Sequence, residues 1–260
     1  MDLTMQPVIE VRDLGLGYND HIVMRDLNFS VNKGDIFIVM GLSGCGKSTL
    51  FKSLIGLKEP TKGKVLYSGK NFWEDDETGQ QNTMRRFGVL YQCGALWSSL
   101  TIGENVALPL KLYTKLSLGQ IQEVVALKLL LVGLEGYEGF YPSGISGGER
   151  KRAGLARAIA LDPDIIFFDE PSSGLDPINA RKLDDLILEL RDSLGATVVV
   201  ITHELASIFA IGNNSVFLDA ESKTMIASGD PKVLLADSKD LRVTQFLTRA
   251  KIQAGSLDNE

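Results

Sequence analysis

The chain has 260 residues, with 44% hydrophobic and 23% charged residues, 27 Lys plus Arg against 33 Asp plus Glu for a formal net charge of −6, and two cysteines. A chain of this length buries a sizeable core without a disulfide or metal staple. The acidic balance excludes bulk affinity for nucleic acid, which needs dense Lys and Arg to displace counterions. The two cysteines exclude a disulfide scaffold and point to a reducing compartment.

The first forty residues predict short strands separated by turns: Val8–Val11, Asn28–Val31, and the continuous apolar run Ile36–Met40, typical of a strand buried on both faces. A helix is predicted from Lys47 to about Gly56, a strand at Gly63–Tyr67, a polar surface excursion from Glu74 to Gln81, and a strand at Gly88–Tyr91. Thr101-x-x-Glu104 and Ser117-x-x-Gln120 are capping boxes, the second opening a helix to about Val132 that stops at Gly133. Two such starts with no strand between them predict a helical lobe from about Cys93 to Gly144. Helix Gly148–Leu161, strand Ile165–Phe168, helix Pro177–Leu194, strand Thr197–Ile201 and helix Glu204–Ile211 alternate as in a parallel α/β sheet. A hairpin at Val216–Leu218 and Thr224–Ala227, a weak helix at Leu241–Lys251 and a polar tail complete the chain. No stretch approaches the ~20 apolar residues of a membrane span. Residues 1–11 have no basic segment ahead of an apolar run, so no signal peptide is expected. The expectation is a soluble cytosolic protein that works at a membrane only through a partner.

Residues 41–49, Gly41-Leu42-Ser43-Gly44-Cys45-Gly46-Lys47-Ser48-Thr49, fit the phosphate-loop pattern of Gly, four residues and Gly-Lys-Ser/Thr. The predicted context is a strand before it and a helix after it. Glycines let successive backbone N–H groups curl round an anion, and the helix N-terminus adds its dipole. Lys47 supplies charge to the β- and γ-phosphates, and the Ser48 hydroxyl is suited to Mg²⁺. Ile165–Phe168 runs into Asp169 and Glu170. An Asp at the C-terminal end of a parallel strand is placed to hold Mg²⁺, and Glu170 beyond it to polarise an attacking water. Alone, such a strand end is as often structural. Ser146-Gly147-Gly148-Glu149 precedes a helix and is a second anion-binding turn; in isolation it reads better as a flexible helix entry.

In combination these motifs resemble the ATP-binding-cassette (ABC) ATPases, whose signature is Leu-Ser-Gly-Gly-Gln. This chain departs from it at Ile145 and Glu149 and keeps the serine and both glycines. The resemblance implies a P-loop NTPase fold of the α/β class, with a mostly parallel core sheet, an N-terminal antiparallel β subdomain and a helical subdomain. It implies one nucleotide-binding domain over residues 7–235, with the helical lobe at about 93–147 inserted in the core, and a C-terminal extension at 236–260. It assigns Tyr18 to stacking on adenine, Gln92 to sensing Mg²⁺ and the γ-phosphate, Ser173 and Asp176 to a loop crossing a dimer interface, and His203 to the γ-phosphate. Singly, Tyr18 also reads as a half-buried core ring and His203 as a loop histidine. In the family, Ser146–Glu149 of one subunit closes over the nucleotide on the phosphate loop of another, so a second copy of this chain completes each site around ATP and Mg²⁺. His21 belongs to no such element and reads as surface.

The segment from Gln92 to Leu100 lies where the family's transporters receive a membrane subunit, and Leu96, Trp97 and Leu100 are expected to be partly exposed there. The run from Gln92 to Leu110, with Ala158–Asp164 and Leu241–Leu247, resembles the ATPases of MCE-associated (Mla-type) phospholipid transporters. That implies permease subunits, an MCE-type lipid-binding subunit reached through them, and a peripheral place on the cytoplasmic face of a bacterial inner membrane; some relatives also have a small accessory protein on the helical lobe, and the residues here leave open whether this chain does. A polar-solute transporter would share every nucleotide residue, as would a non-transport cassette in cofactor assembly or cell division. A DNA-repair cassette is disfavoured because there are no sustained heptads. Cys45 and Cys93 are expected to be free thiols, with alkylation of Cys45 suppressed by bound ATP.

Overall fold

The computed structural model describes residues 7–19 and 21–255, with side chains through residue 249. The chain forms two compact units, Met1–Gln80 with Val199–Glu260, and Gln81–Val198.

The first unit opens with β1 (Ile9–Tyr18), β2 (His21–Val31), β3 (Ile36–Gly41), α1 (Lys47–Leu54), β4 (Lys62–Tyr67) and β5 (Lys70–Asn71). Four of these strands form an antiparallel sheet in the order β2-β1-β4-β5, with Ile9 opposite Val31 on one side and Tyr67 on the other. Strands β1 and β2 run well past the expected Val8–Val11 and Asn28–Val31. The alternation that marks a strand is interrupted by register shifts between Val11 and Gly17. Asp13 adopts φ 47° there, and Asn28 stabilises the irregularity: its Oδ1 accepts from the Asp13 backbone N–H at 2.9 Å and its Nδ2 donates to Asp13 Oδ1 at 3.1 Å. Strand β3 is buried at every position. The phenol of Tyr67, pushed up in pKa by burial, donates to the Leu54 carbonyl and so ties the end of α1 to β4.

Helix α2 (Glu77–Met84) stands where a surface loop was expected, and it buries no residue. A capping carboxylate forms it without a core face: Asp76 Oδ1 accepts from the Gly79 N–H at 2.6 Å. In the second unit follow β6 (Phe87–Leu90), α3 (Ile102–Tyr113), α4 (Leu118–Leu131), a 3₁₀ turn at Pro142–Gly144, α5 (Gly147–Ala158), β7 (Ile165–Asp169) and α6 (Pro177–Leu194). Strands β6 and β7 pair in parallel, Phe87 with Ile165 through Leu90 with Phe168. Both capping boxes form, at Thr101/Glu104 and Ser117/Gln120. Helix α6 has the expected limits, Asp176 capping its first turn ahead of Pro177 and Gly195 ending it at φ 62°. Leu183, Ile187 and Leu190, at helical spacing, are its buried apolar stripe.

Strand β8 (Thr197–Ile201) returns the chain to the first unit, followed by α7 (Leu205–Ile211), β9 (Asn214–Asp219), β10 (Thr224–Ser228), α8 (Pro231–Asp237) and α9 (Leu241–Gly255). Strands β9 and β10 form the expected hairpin, and β9 also pairs in parallel with β3. Helix α8 has no counterpart in the expected elements; it is a short turn capped by Asp230. Helix α9 buries Val243, Phe246 and Leu247, sets Phe246 edge-on to Phe217 at 5.1 Å, and pairs Arg242 with Asp219 at 2.9 Å. Residues 256–260, the end of the expected tail, lie outside the described residues. Among the described residues no helix is long and apolar enough to cross a membrane.

Candidate functional site

Strand β3 delivers the chain into the 41–49 loop, and α1 carries it away. Gly41, Gly44 and Gly46 have φ 150°, 81° and 96°. A Cβ on Gly41 would lie 2.4 Å from the Leu218 carbonyl oxygen and one on Gly46 2.9 Å from the Met24 side chain, so both conformation and space require glycine. Lys47 is buried and its ammonium curls back into the loop, donating to the carbonyls of Gly41 at 2.8 Å and Leu42 at 3.1 Å. Helix α1 opens on Gly46 with no side-chain cap, whereas α3, α4, α5 and α6 each have one. The Thr49 and Leu50 N–H groups both donate to the Gly46 carbonyl at 3.0 Å, and with no side chain over the helix start, its dipole faces whatever anion the loop receives. Leu42, Ser43, Gly44 and Ser48 are exposed along this loop, and Thr49 is half-buried.

In the same unit, Tyr18 sits at the turn end of the β1–β2 hairpin opposite His21, 47% exposed, with Lys58 Nζ 4.0 Å from its ring centroid. It is a surface ring rather than a core one. His203 is exposed just after β8, beside the carboxylate of Glu204 at 3.7 Å, and the preceding Thr202 N–H donates to the Val39 carbonyl of β3 at 3.3 Å. His21 is exposed, as expected.

The second unit brings together the remaining residues. Gln92 follows β6 and its Nε2 donates to Ser173 Oγ at 3.1 Å. Asp169 ends β7, and Glu170 follows it with φ 48°. Ser146 caps α5 with Glu149 in a full capping box: Glu149 accepts from the Ser146 backbone N–H at 2.7 Å, and Ser146 Oγ accepts from the Glu149 N–H at 3.3 Å. The Tyr137 hydroxyl adds a third bond to Glu149 at 2.9 Å. These donors, the Ser146 backbone first, hold the Glu149 carboxyl below its usual pKa. The departure from Gln at 149 thus keeps the turn's geometry and adds a fixed negative charge to it. Ser146, Gly147, Gly148 and Asp176 line one cavity of about 430 Å³. The Asp176 carboxylate is engaged as the α6 cap, and the Asn179 amide and backbone lower its pKa.

Among the described residues no cluster of three or more His, Cys, Asp or Glu side chains could hold a metal alone. Ser48 in the first unit offers a hydroxyl oxygen, and Gln92 and Asp169 in the second an amide and a carboxylate oxygen; each is the hard oxygen type that Mg²⁺ takes.

Trp97 is 61% exposed, and Leu96 and Leu100 are half-buried, as expected. Buried Asn105 explains this: its Oδ1 accepts from the Trp97 N–H at 2.8 Å, and its Nδ2 donates to the carbonyls of Trp97 and Thr101 at 3.1 and 2.9 Å. The backbone is pinned and the indole is left outside. Trp97 lines a groove of about 560 Å³ with Arg85, Tyr91, Pro109, Leu112 and Tyr113.

Cys45 corrects an expectation. Its thiol is 1% exposed, and burial raises its pKa against the opposing pull of Lys47. Cys93 is exposed. A maleimide at neutral pH is therefore expected to modify Cys93 at least tenfold faster than Cys45, with or without ATP, as mass mapping of labelled peptides will show; a raised pKa leaves Cys45 less thiolate at every pH below it. Sequence reasoning also missed Lys151 and Arg157 on α5. Arg157 donates to the carbonyls of Gly94 at 2.9 Å and Ala95 at 2.8 Å, fastening the segment after Gln92 to that helix.

A family model described as "ABC transporter" matches residues 24–173. The chain is 40% identical over 242 residues to the intermembrane phospholipid transport system ATP-binding protein MlaF of Haemophilus influenzae, covering 93% of this chain and 90% of that one. It is 36% identical to MlaF of Escherichia coli K12, covering 95% and 91%. It is 38% identical to the "probable ribonucleotide transport ATP-binding protein mkl" of Mycobacterium leprae, covering 96% of this chain and 71% of that one. Among solved structures, cbiO1 from Clostridium perfringens, part of the ABC transporter complex cbiONQ, superposes with TM-score 0.82 at 24% identity over 98% of this chain and 100% of that one. A dimeric ATP-binding cassette in a post-hydrolysis state, bound to ADP and Pi, gives 0.78 at 26% over 85% and 98%. The P-loop NTPase fold, with its antiparallel β and helical subdomains, is shared with these cassettes, and the chain belongs to the ABC transporter family as an ATP-binding, ATP-hydrolysing member.

Proposed function

We propose that the chain, peripheral on the cytoplasmic face of a bacterial inner membrane, is the ATPase subunit of a transporter that moves phospholipid, working with separate permease subunits and, through them, an MCE-type lipid-binding subunit. The near full-length match to two MlaF proteins carries the substrate class. The nucleotide residues carry only the ATPase. In this reading residues 7–235 are the nucleotide-binding domain, with its helical lobe at about 93–147, and 236–260 an extension of it.

Each residue has a role in the cycle. Tyr18 stacks on adenine, residues 41–49 wrap the phosphates, and Lys47 leaves its loop carbonyls for phosphate oxygens. Ser48, Gln92 and Asp169 would hold Mg²⁺, which would supply charge neutralisation to the phosphates. Glu170 takes a proton from the attacking water and His203 contacts the γ-phosphate. Ser146–Glu149 of a second copy presents backbone N–H groups and a helix dipole to that phosphate, and Ser173 and Asp176 lie on the loop that meets the second copy. Loss of the γ-phosphate removes this bridge, so the two copies separate, and the cycle is a difference in contacts between ATP and ADP states.

The Trp97 groove is the docking place for a permease segment, since an exposed aromatic in an apolar groove marks a partner surface. The test is affinity purification from detergent-solubilised membranes. Permease and MCE subunits with phospholipid should be recovered, and Trp97→Glu should reduce permease recovery at least tenfold while ATP binding stays intact. Recovery with a soluble iron–sulfur scaffold would contradict the transporter reading. The similarity to mkl supports a second reading, a ribonucleotide as cargo; stimulation of turnover in proteoliposomes by a ribonucleotide rather than by phospholipid composition would favour it.

A further inference from the structure

Glu170 occupies the left-handed region, φ 48°, which a long side chain adopts only where its surroundings hold it. The loop that leaves it is fastened in three ways. The Ser173 N–H donates to the Glu170 carbonyl at 3.2 Å, Gln92 donates to Ser173 Oγ at 3.1 Å, and Lys151 donates from Nζ to the carbonyls of Pro171, at 2.6 Å, and Ser173. Lys151 lies on the buried face of α5, only 7% exposed, beside Ala153, Gly154, Leu155 and Ala156. Packing alone would be met there by an apolar residue, because taking an ammonium out of water is costly unless its donors are used.

We propose that Lys151 is a positioning residue for Glu170: by holding the carbonyls one and three residues beyond it, the ammonium maintains the turn that fixes the carboxylate's backbone. The proposal rests on the reading of Glu170 as the base. Burial lowers the Lys151 pKa, opposed by the attraction of Cys93 and Glu170. The ammonium also stands on the helix that begins at the Ser146–Glu149 turn, so any displacement of that helix is passed directly to the loop carrying Glu170.

Lys151→Met keeps the aliphatic stem and removes the donors. In the full chain, the single-turnover rate of ATP hydrolysis is expected to fall about 10- to 100-fold, the usual effect of misplacing a catalytic group by about an ångström, with the ATP dissociation constant within about twofold. A variant that only loosened the fold would lose both together. In a Glu170→Gln background the same change should lower the rate by less than about twofold, because the group it places is already disabled. If Lys151→Met does not fold, Lys151→Gln is measured in the same way. An unchanged rate, a parallel loss of ATP affinity, or an equal further loss in the Glu170→Gln background would overturn the proposal. A slow Glu170→Gln with a normal Lys151→Met would remove the role of Lys151 alone; a fully active Glu170→Gln would remove both roles.

Discussion

Replacing Glu170 with glutamine is expected to lower steady-state ATP hydrolysis by about 10²–10⁴-fold, the range a general base contributes, while ATP stays bound. The change is isosteric and removes only the capacity to take a proton. It therefore spares the left-handed turn at φ 48° and the loop hydrogen bonds that follow it. Because binding is retained, ATP-bound dimers should accumulate, and bound ATP should be recoverable unhydrolysed after gel filtration. Turnover within about threefold of the unmodified chain would show that the proton goes elsewhere.

Lys47→Ala is expected to act at the preceding step. The ammonium is the one cation in the 41–49 loop, and its present partners are the loop carbonyls of Gly41 and Leu42. A charge-assisted hydrogen bond contributes about 1.5–3 kcal/mol, so ATP affinity should fall roughly 10- to 100-fold. Equilibrium binding of a labelled ATP measures this directly, and a thermal melt separates it from the stability lost with a buried side chain. Normal binding of labelled ATP by a folded Lys47→Ala chain would remove the phosphate-loop assignment.

Much of this was legible in the residues themselves, for local reasons. The phosphate loop is written in glycines that only a φ-positive turn needs, between a fully apolar run and a helix. Helix α6 is bounded by its own punctuation, Asp176-Pro177 at the start and Gly195 at the end. The membership in the ABC transporter family followed from the order of the motifs, which the family match bears out. What escaped has the opposite character. The continuation of β1 past Val11 depends on an Asn28–Asp13 contact between strands, which no alternation reveals. Helix α2 has no buried face and so no period to find. The burial of Cys45 is a tertiary outcome, since Gly41 beside it is packed under the distant Leu218 carbonyl. Lys151 lies between Arg150 and Arg152, so its charge alone does not single it out. A cation two residues ahead of an Ala-Gly-Leu-Ala stretch was the available signal, and only the loop carbonyls above it give that signal meaning.

In the proposed cycle one chain carries half of each catalytic site, and two copies close over ATP. Sedimentation of purified Glu170→Gln chain with Mg²⁺ and either ATP or ADP tests it most directly. The mass should double with ATP, with one nucleotide bound per chain, and remain that of single chains with ADP. A chain that binds ATP and remains single at every concentration, while the unmodified chain hydrolyses ATP with a specific activity independent of dilution, would contradict it.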